Sequence, residues 1–224
     1  MKIDRINQIH ELLKDVHSIS INKLCSSFGV SKNTIRRDIA ELEKSGMIKK
    51  VYGGIVLQEQ SEVSPEPFSS RETRNTQAKK KIARIAASLV NDGDVIYIDS
   101  GTTTMHMIPY LADKKRLTIV TASVYVINAA SNYKDFNIIA TGGSLYLPSK
   151  AFVGPSVLNC LRSYNISKVF LASTGISIEN GATNASPLEC EIKQSLVQKN
   201  CQKILLVDKS KLDVSSLMTY CDLK

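Results

Sequence analysis

Two stretches of the 224-residue chain bring together residue types that can do chemistry. One is Asp99-Ser100-Gly101-Thr102-Thr103-Thr104, which follows the apolar run Val95-Ile96-Tyr97-Ile98. A strand, a turn rich in glycine and hydroxyls, and then a helix start form a cradle for an anion. Backbone N–H groups point at the ligand there, and the helix dipole favours negative charge. Gly101 admits a close backbone approach. The threonine hydroxyls add donors, and Asp99 can accept from sugar hydroxyls. No Gly-Lys-Ser/Thr follows and no Gly-x-Gly-x-x-Gly is present, so neither a P-loop nor a dinucleotide site is supported. A plain Ser/Thr-capped helix explains the local pattern equally well. The other stretch is Ser31-Lys32-Asn33-Thr34-Ile35-Arg36-Arg37. Its polar residues suit duplex DNA: arginine forks onto guanine, asparagine pairs with adenine, and a hydroxyl reaches phosphate or base. A solvated basic face is the plainer alternative.

Other strand ends extend the first pattern. Thr121-Ala122-Ser123, Thr141-Gly142-Gly143, Ser173-Thr174-Gly175 and Asp208-Lys209-Ser210-Lys211 each follow an apolar run. Such turns after successive strands favour one shared pocket over independent caps. Lys211 can neutralise a phosphate, and Lys150 offers a second cation. The candidate ligand-binding set is Asp99, Ser100, Gly101, Thr102, Thr103, Thr104, Thr121, Ser123, Gly142, Gly143, Lys150 and Lys211.

The basic stretch needs a reader domain to hold it. Ile3, Ile6, Ile9 and Leu13 repeat at helical spacing and predict a first amphipathic helix. Ser20 is placed to cap a second, short helix carrying Ile21, Leu24, Cys25 and Phe28. Gly29 allows a sharp turn, Ser31 caps a third helix over 32–45, and Gly46 ends it. Two helices joined by a glycine-containing turn are the helix-turn-helix arrangement, whose second helix enters the major groove by its first turns. Met47-Ile48-Lys49-Lys50-Val51, Tyr52-Gly53-Gly54 and Ile55-Val56-Leu57 then read as a basic β-hairpin, a wing. The candidate DNA-contacting set is Ser20, Ser31, Lys32, Asn33, Thr34, Arg36, Arg37, Lys49, Lys50 and Tyr52.

The anion cradle needs a sheet. Apolar runs at 95–98, 117–120, 136–140, 168–172 and 203–207 alternate with helical patterns, among them 79–90. That alternation predicts a mostly parallel α/β domain covered on both faces. Domains follow as 1–57 for the winged reader, 58–77 for a polar linker with Pro65 and Pro67, and 78–224 for the α/β domain.

Composition agrees with a charged partner. The net charge is +8. Residues 1–57 hold ten Lys/Arg against six Asp/Glu, net +4, and the other 167 residues carry nineteen against fifteen, also +4. Excess positive charge is thus several times denser in the first quarter, which fits a polyanion there. Five scattered cysteines with no C-x-x-C argue against a disulfide framework or a zinc site and fit a reducing cytoplasm. No apolar run reaches the roughly 18–20 residues that span a bilayer.

The run Val30-Ser31-x-x-Thr34-Ile35-Arg36-Arg37-Asp38, then Leu42-Glu43-x-x-Gly46 and Tyr52-Gly53-Gly54, resembles the DNA-binding domain of the DeoR family of bacterial regulators. Asp92-Gly93-Asp94, Asp99-Ser100-Gly101-Thr102-Thr103, Thr121-Ala122-Ser123, Gly142-Gly143, Gly181-Ala182-Thr183 and Asp208-x-Ser210-Lys211 extend the resemblance along nearly the whole chain. It implies that Ser31 through Asp38 sit on the recognition helix; on that helix we read Arg36 and Arg37 as contact residues and Asp38 as orienting an arginine or capping locally. It also implies a sensor domain similar in fold to ribose-5-phosphate isomerase, binding a phosphosugar without converting it. Such regulators usually repress sugar or polyol catabolic operons, and the phosphorylated intermediate relieves repression. Two departures stand out: Ser167 where an aspartate is expected, and an end at Lys224 where one more strand and helix are expected.

The expectation is therefore a cytoplasmic regulator, not an enzyme. It has no metal or cofactor, takes a phosphorylated sugar or polyol as effector, binds double-stranded operator DNA and forms a dimer or tetramer away from membranes. The alternatives are a sugar-phosphate isomerase with a DNA-binding extension, its base Asp99 or Glu189, and an architectural DNA-binding protein with no ligand.

Overall fold

The computed structural model describes residues 2–16, 18–44, 48–51, 53–57 and 67–223. The chain forms two compact units, Met1–Ser61 and Glu62–Lys224. Gly46, Tyr52 and the first nine residues of the expected linker lie outside the described residues.

The first unit is a winged helix-turn-helix. Helix α1 (Lys2–Val16) leads through strand β1 (Ser18–Ser20) into α2 (Ile21–Phe28) and α3 (Lys32–Lys44), followed by β2 (Ile48–Val51) and β3 (Gly54–Leu57). Ile9, Leu13, Leu24, Ile35, Ile39, Leu42, Ile48 and Ile55 are buried in one cluster. The three- and four-residue spacing on α3 puts Ile35, Ile39 and Leu42 on one face and leaves Arg36 and Arg37 on the other. Ser20 caps α2 by accepting from the Lys23 N–H at 3.2 Å. Gly29 ends α2 in the left-handed region at φ 63°, which makes the turn into α3. The strands pair antiparallel in the order β1-β3-β2, so the hairpin is anchored by a third strand.

The second unit begins earlier than its sheet. Helix α4 (Phe68–Glu72) and helix α5 (Thr76–Ser88) occupy most of what reads as the second half of a linker. The correction has a local cause. Phe68, a lone aromatic in a polar stretch, is buried, stacks on Tyr125 with ring centroids 4.0 Å apart and donates its N–H to the Pro148 carbonyl at 3.2 Å.

Strand β4 (Val95–Ile98) is followed by a 3₁₀ helix (Thr104–Leu111), β5 (Thr118–Thr121), α6 (Val124–Ala130) and β6 (Asn137–Ala140). A hairpin of β7 (Ser144–Tyr146) and β8 (Ala151–Val153) precedes α7 (Pro155–Ser163) and β9 (Lys168–Ala172). Then come β10 (Gly175–Ser177), β11 (Gly181–Asn184), α8 (Pro187–Val197), β12 (Gln202–Leu206), a one-turn 3₁₀ helix (Lys209–Lys211) and β13 (Met218–Cys221). Strands β12-β9-β4-β5-β6 form a parallel sheet in that order. Side chains alternate across it. Ile96 and Ile98 meet α5, α6 and the 3₁₀ helix on one face, while Tyr97, Val169 and Leu171 meet α7 and α8 on the other. Strands β10, β11 and β13 add a small antiparallel sheet.

The order of the parallel strands matters most. From β4 the chain moves to β5 and β6 on one side, then returns to β9 and β12 on the other. The direction reverses beside β4, and open α/β sheets bind ligands in the crevice at the strand ends of such a reversal.

Candidate functional site

The β4 turn is built mainly by internal bonds. Thr104 is fully buried, and its hydroxyl lies 2.7 Å from the Asp99 carbonyl and 2.9 Å from the Gly101 carbonyl. A Cβ on Gly101 would lie 2.3 Å from the Ala172 Cβ, so glycine is required for the turn to rest against the end of β9. The segment that follows is a 3₁₀ helix and not the α-helix the cradle pattern predicts. Pro109 inside it lacks an N–H, and in an α-helix its ring would clash with the carbonyl four residues back.

Asp99 has a different task from the expected one. The residue is 3% exposed; its carboxylate accepts the Ala172 N–H at 2.8 Å and is ion-paired with the equally buried Lys193. Lys193 also donates to the Ala172 carbonyl at 2.9 Å, and the Tyr220 hydroxyl donates to the same oxygen at 3.1 Å. Burial pushes the Lys193 ammonium down, but Asp99 first, with Tyr220 and Glu189 behind it, pulls it above the ordinary lysine range. Asp99 is therefore a pillar tying β4, β9 and α8 together beneath the crevice.

Above that pillar lies a two-lobed cleft. One lobe, about 510 Å³ of open space, is walled by Ser100, Thr174, Asn184, Glu189 and Lys193. The other, about 450 Å³, is walled by Arg74, Lys79, Thr102, Thr103 and Asp208. Arg71, Gly101, Ala172, Ser173 and Lys211 line both. The second lobe gathers four cations, Arg71, Arg74, Lys79 and Lys211, against the single carboxylate of Asp208. Burial pushes the Lys79 ammonium down, and the charges of Lys211, Arg71 and Arg74 push it the same way against the pull of Asp208. Burial would raise Asp208, yet the Ser210 hydroxyl and N–H, Lys211 and Asn75 together hold it below the usual carboxylate range. Excess positive charge at the ends of β4, β9 and β12 suits a compact anion.

The expected ligand residues divide at the strand reversal. Ser100, Gly101, Thr102, Thr103 and Lys211 line the cleft. Thr121, Ser123, Gly142, Gly143 and Lys150 line neither lobe, because they follow β5, β6 and β7 on the other side of β4. Thr121 is fully buried, its hydroxyl donating to the Ile98 carbonyl at 2.6 Å and accepting the Ser123 N–H at 3.0 Å. Ser123 caps α6 through the Val126 N–H, and Lys150 is an exposed turn residue at φ 51°. Arg71 and Arg74 were missed because they sit in the stretch that reads as linker, and Lys79 because it reads as a polar position on the first helix of the α/β domain. The available signal was Phe68 followed by arginines three and six residues on.

In the first unit, Lys32, Asn33, Arg36 and Arg37 are exposed on the first turns of α3. Ser31 caps that helix, its Oγ accepting the Thr34 N–H at 3.3 Å and lying 3.0 Å from the Thr34 hydroxyl. Asp38 is buried and grips Arg5 of α1 in two bonds of 2.7 and 3.1 Å, so the arginine it orients is not on the recognition helix. On the wing, Lys49 is exposed and Lys50 pairs with Glu43 of α3. Ser20 is exposed at the cap of α2, while Tyr52 lies outside the described residues. Arg36 and Lys50 border a groove between α3 and the hairpin.

No helix among the described residues is long and apolar enough to cross a membrane. No group of three or more His, Cys, Asp or Glu there is arranged to hold a metal ion.

A winged helix-turn-helix joined to an α/β unit with a cationic cleft at its strand ends defines a DNA-binding regulator with a sensor domain. Residues 5–61 match the family model described as a DeoR-like helix-turn-helix domain, and residues 74–224 match that of the DeoR C terminal sensor domain. The chain belongs to the DeoR family of transcriptional regulators. It is 40% identical to the HTH-type transcriptional regulator IolR of Bacillus subtilis over 98% of this chain and 87% of that one. It is 31% identical to the HTH-type transcriptional repressor GlcR of the same species, over 98% and 84% of the two chains. Among solved structures, ribose 5-phosphate isomerase A from Methanocaldococcus jannaschii is similar over 62% of this chain and 55% of its own, at 21% identity and a TM-score of 0.45.

Proposed function

We propose that this regulator is a repressor of a sugar or polyol catabolic operon, released from its operator by a phosphorylated sugar or polyol. The observation that carries the reading is the set of four cations around the β4 turn, facing one carboxylate at the strand reversal. Such a lobe suits the phosphate, and the hydroxyl, amide and carboxylate groups of the other lobe suit an oxygen-rich remainder. On the DNA side, Arg36, Arg37, Lys32 and Asn33 are presented for the major groove and Lys49 for the backbone. The relative GlcR is named a repressor, and the same sign is read here.

The effector is bound and not converted, with no cofactor. Asp99, one of two candidate bases, is buried and paired with Lys193. Glu189, the other, accepts the Ser100 hydroxyl at 2.9 Å. A dimer or tetramer is expected, because one small reader supplies limited specific affinity. Cytoplasmic residence follows from this role.

The test is fluorescence anisotropy on labelled duplexes from the protein's own gene neighbourhood, with a panel of sugar and polyol phosphates added to the complex. Salt-sensitive binding, released by at least one phosphorylated compound and not by its unphosphorylated parent, is expected. Binding that no compound releases would refute the sensor. Turnover of any compound that does release would refute the non-enzymatic reading.

A further inference from the structure

Asn184 lines the first lobe of the cleft from the end of β11. Its residue exposure is 7%. The Ala185 N–H donates to the Thr174 hydroxyl oxygen at 3.3 Å. That leaves the Thr174 proton to be given away, and Asn184 Oδ1 accepts it at 2.9 Å. In this arrangement the amide oxygen of Asn184 is engaged and its NH₂ is not. Three buried side-chain polar atoms have no partner among the described residues: His106 Nε2, Ser149 Oγ and Asn184 Nδ2. Only Asn184 belongs to a residue lining this cleft. A buried donor without an acceptor is unfavourable, and an oriented one selects what can relieve it.

The same lobe holds the opposite polarity a few residues on. Glu189 begins α8, whose cap is Ser186, and one of its carboxylate oxygens accepts from Ser100. A carboxylate accepts several hydrogen bonds, so it can take a ligand hydroxyl as well. A donor and an acceptor in one lobe, with Arg74 and Lys79 adding to the shared Arg71 and Lys211 in the other, suit a ligand with two unlike ends.

We propose that Asn184 is a specificity-determining residue of the sensor. Its Nδ2 donates to an oxygen at the unphosphorylated end of the effector, while Glu189 accepts from a neighbouring hydroxyl. This rests on the sensor reading above and narrows it. The cleft selects phosphate esters whose far end carries two adjacent oxygens, as a vicinal diol or a hydroxy-carbonyl, and discriminates against deoxy compounds. Inorganic phosphate, held where Arg71, Arg74, Lys79 and Lys211 gather in the second lobe, is indifferent to Asn184.

The test is isothermal titration of the full-length protein and its Asn184→Asp and Asn184→Ala variants. The probes are inorganic phosphate, ribose 5-phosphate, 2-deoxyribose 5-phosphate, fructose 6-phosphate and glycerol 3-phosphate. Asn184→Asp keeps an oxygen for Thr174 and removes the donor, so it separates the donor from the fold. Asn184→Ala adds no charge and serves for the phosphate comparison. The sugar phosphate that binds wild type best should lose about tenfold in affinity in both variants, the size of one well-made hydrogen bond. Inorganic phosphate should bind wild type and Asn184→Ala alike. Full sugar-phosphate affinity in Asn184→Asp would overturn the donor role and leave the sensor standing. Equal loss of phosphate and sugar-phosphate binding in Asn184→Ala would make Asn184 structural and overturn it too. If wild type binds none of the sugar phosphates, the sensor reading itself fails, and this inference with it.

Discussion

Replacing Lys193 by methionine tests whether Asp99 supports the cleft or binds within it. Lys193→Met keeps the length and apolar stem of the side chain and removes the ammonium. The carboxylate of Asp99, a residue 3% exposed, then retains the Ala172 N–H at 2.8 Å but loses its counter-ion. The Ala172 carbonyl loses one donor and keeps the Tyr220 hydroxyl. Breaking a buried pair by removing one partner costs about 3–5 kcal/mol. For a unit of this size each kcal/mol moves the melting temperature by about 2–4 °C, so a fall of roughly 6–20 °C is expected. Removing both charges differs in kind. A buried pair replaced by apolar groups of similar volume is often neutral, so Asp99→Leu with Lys193→Met should recover most of the loss. The sign with pH is also fixed. The folded Lys193 holds its proton above the ordinary lysine range, so its stabilisation is complete below the unfolded value. It is lost as pH rises through the folded one. Wild type should lose stability at alkaline pH more steeply than the double variant. Circular dichroism melts of the three proteins across that range are the assay. If Lys193→Met melts like wild type, Asp99 does not depend on Lys193 and returns to the ligand as a hydrogen-bond acceptor.

On the DNA side, Arg36→Ala and Arg37→Ala should each weaken operator binding in anisotropy titrations, by about 1–3 kcal/mol where the arginine reads a base. Lys211→Ala should raise the effector concentration needed for release by about tenfold or more, the worth of a charge-assisted bond, with operator affinity unchanged. Lys150→Ala, on the far side of the strand reversal, should leave release unaltered. A shifted midpoint would place Lys150 at the effector. Burial raises the Asp94 carboxyl, but Lys168 at 2.5 Å, the Asn91 N–H and Ser167 outweigh it and hold its pKa low. Its stabilisation is therefore present above the unfolded value and lost as pH falls through the folded one. Lys168→Met should flatten the acid limb of a pH-melting curve.

The alternation of strands and helices was legible because burial writes a period into each element. Ile35, Ile39 and Leu42 mark one face of α3, and the uninterrupted apolar run 95–98 marks a strand covered on both sides. Capping was legible for the same local reason: Ser20, Ser31 and Gly29 act within four residues of themselves. The cleft was only half legible. Turn chemistry reveals that a polar loop follows a strand, but strand order decides which loops meet. The loops after β5 and β6 look as suitable as that after β9, and the reversal at β4 separates them. Buried ion pairs are invisible to composition, so Asp99 reads as a ligand group until Lys193, 94 residues away, is seen beside it. Ser167 is a smaller case. Its hydroxyl lies 3.0 Å from both Asp94 Oδ1 and the Val95 carbonyl, so the neutral residue there bonds a carboxylate that an aspartate would repel.

An effector can shift a regulator only through a difference in its affinity for two states, so the useful question is which contacts change when the cleft fills. Arg71 and Arg74 belong to the first described turns after residues 58–66, the stretch that leads out of the reader unit. Helix α4 is five residues long, too short to be stable by itself. It is held by the Phe68–Tyr125 stack, by the Pro148 carbonyl and by the Lys79 ammonium on the Arg71 carbonyl. Arg71 and Arg74 share a lobe of the cleft with Lys79 and Lys211, and like charges gathered there disfavour one another. An anion between them reverses that sign. On the proposed sensor reading, an effector's charge would act on the segment that follows residues 58–66 in the chain, and the energy of seating α4 would depend on occupancy without a relay through the sheet.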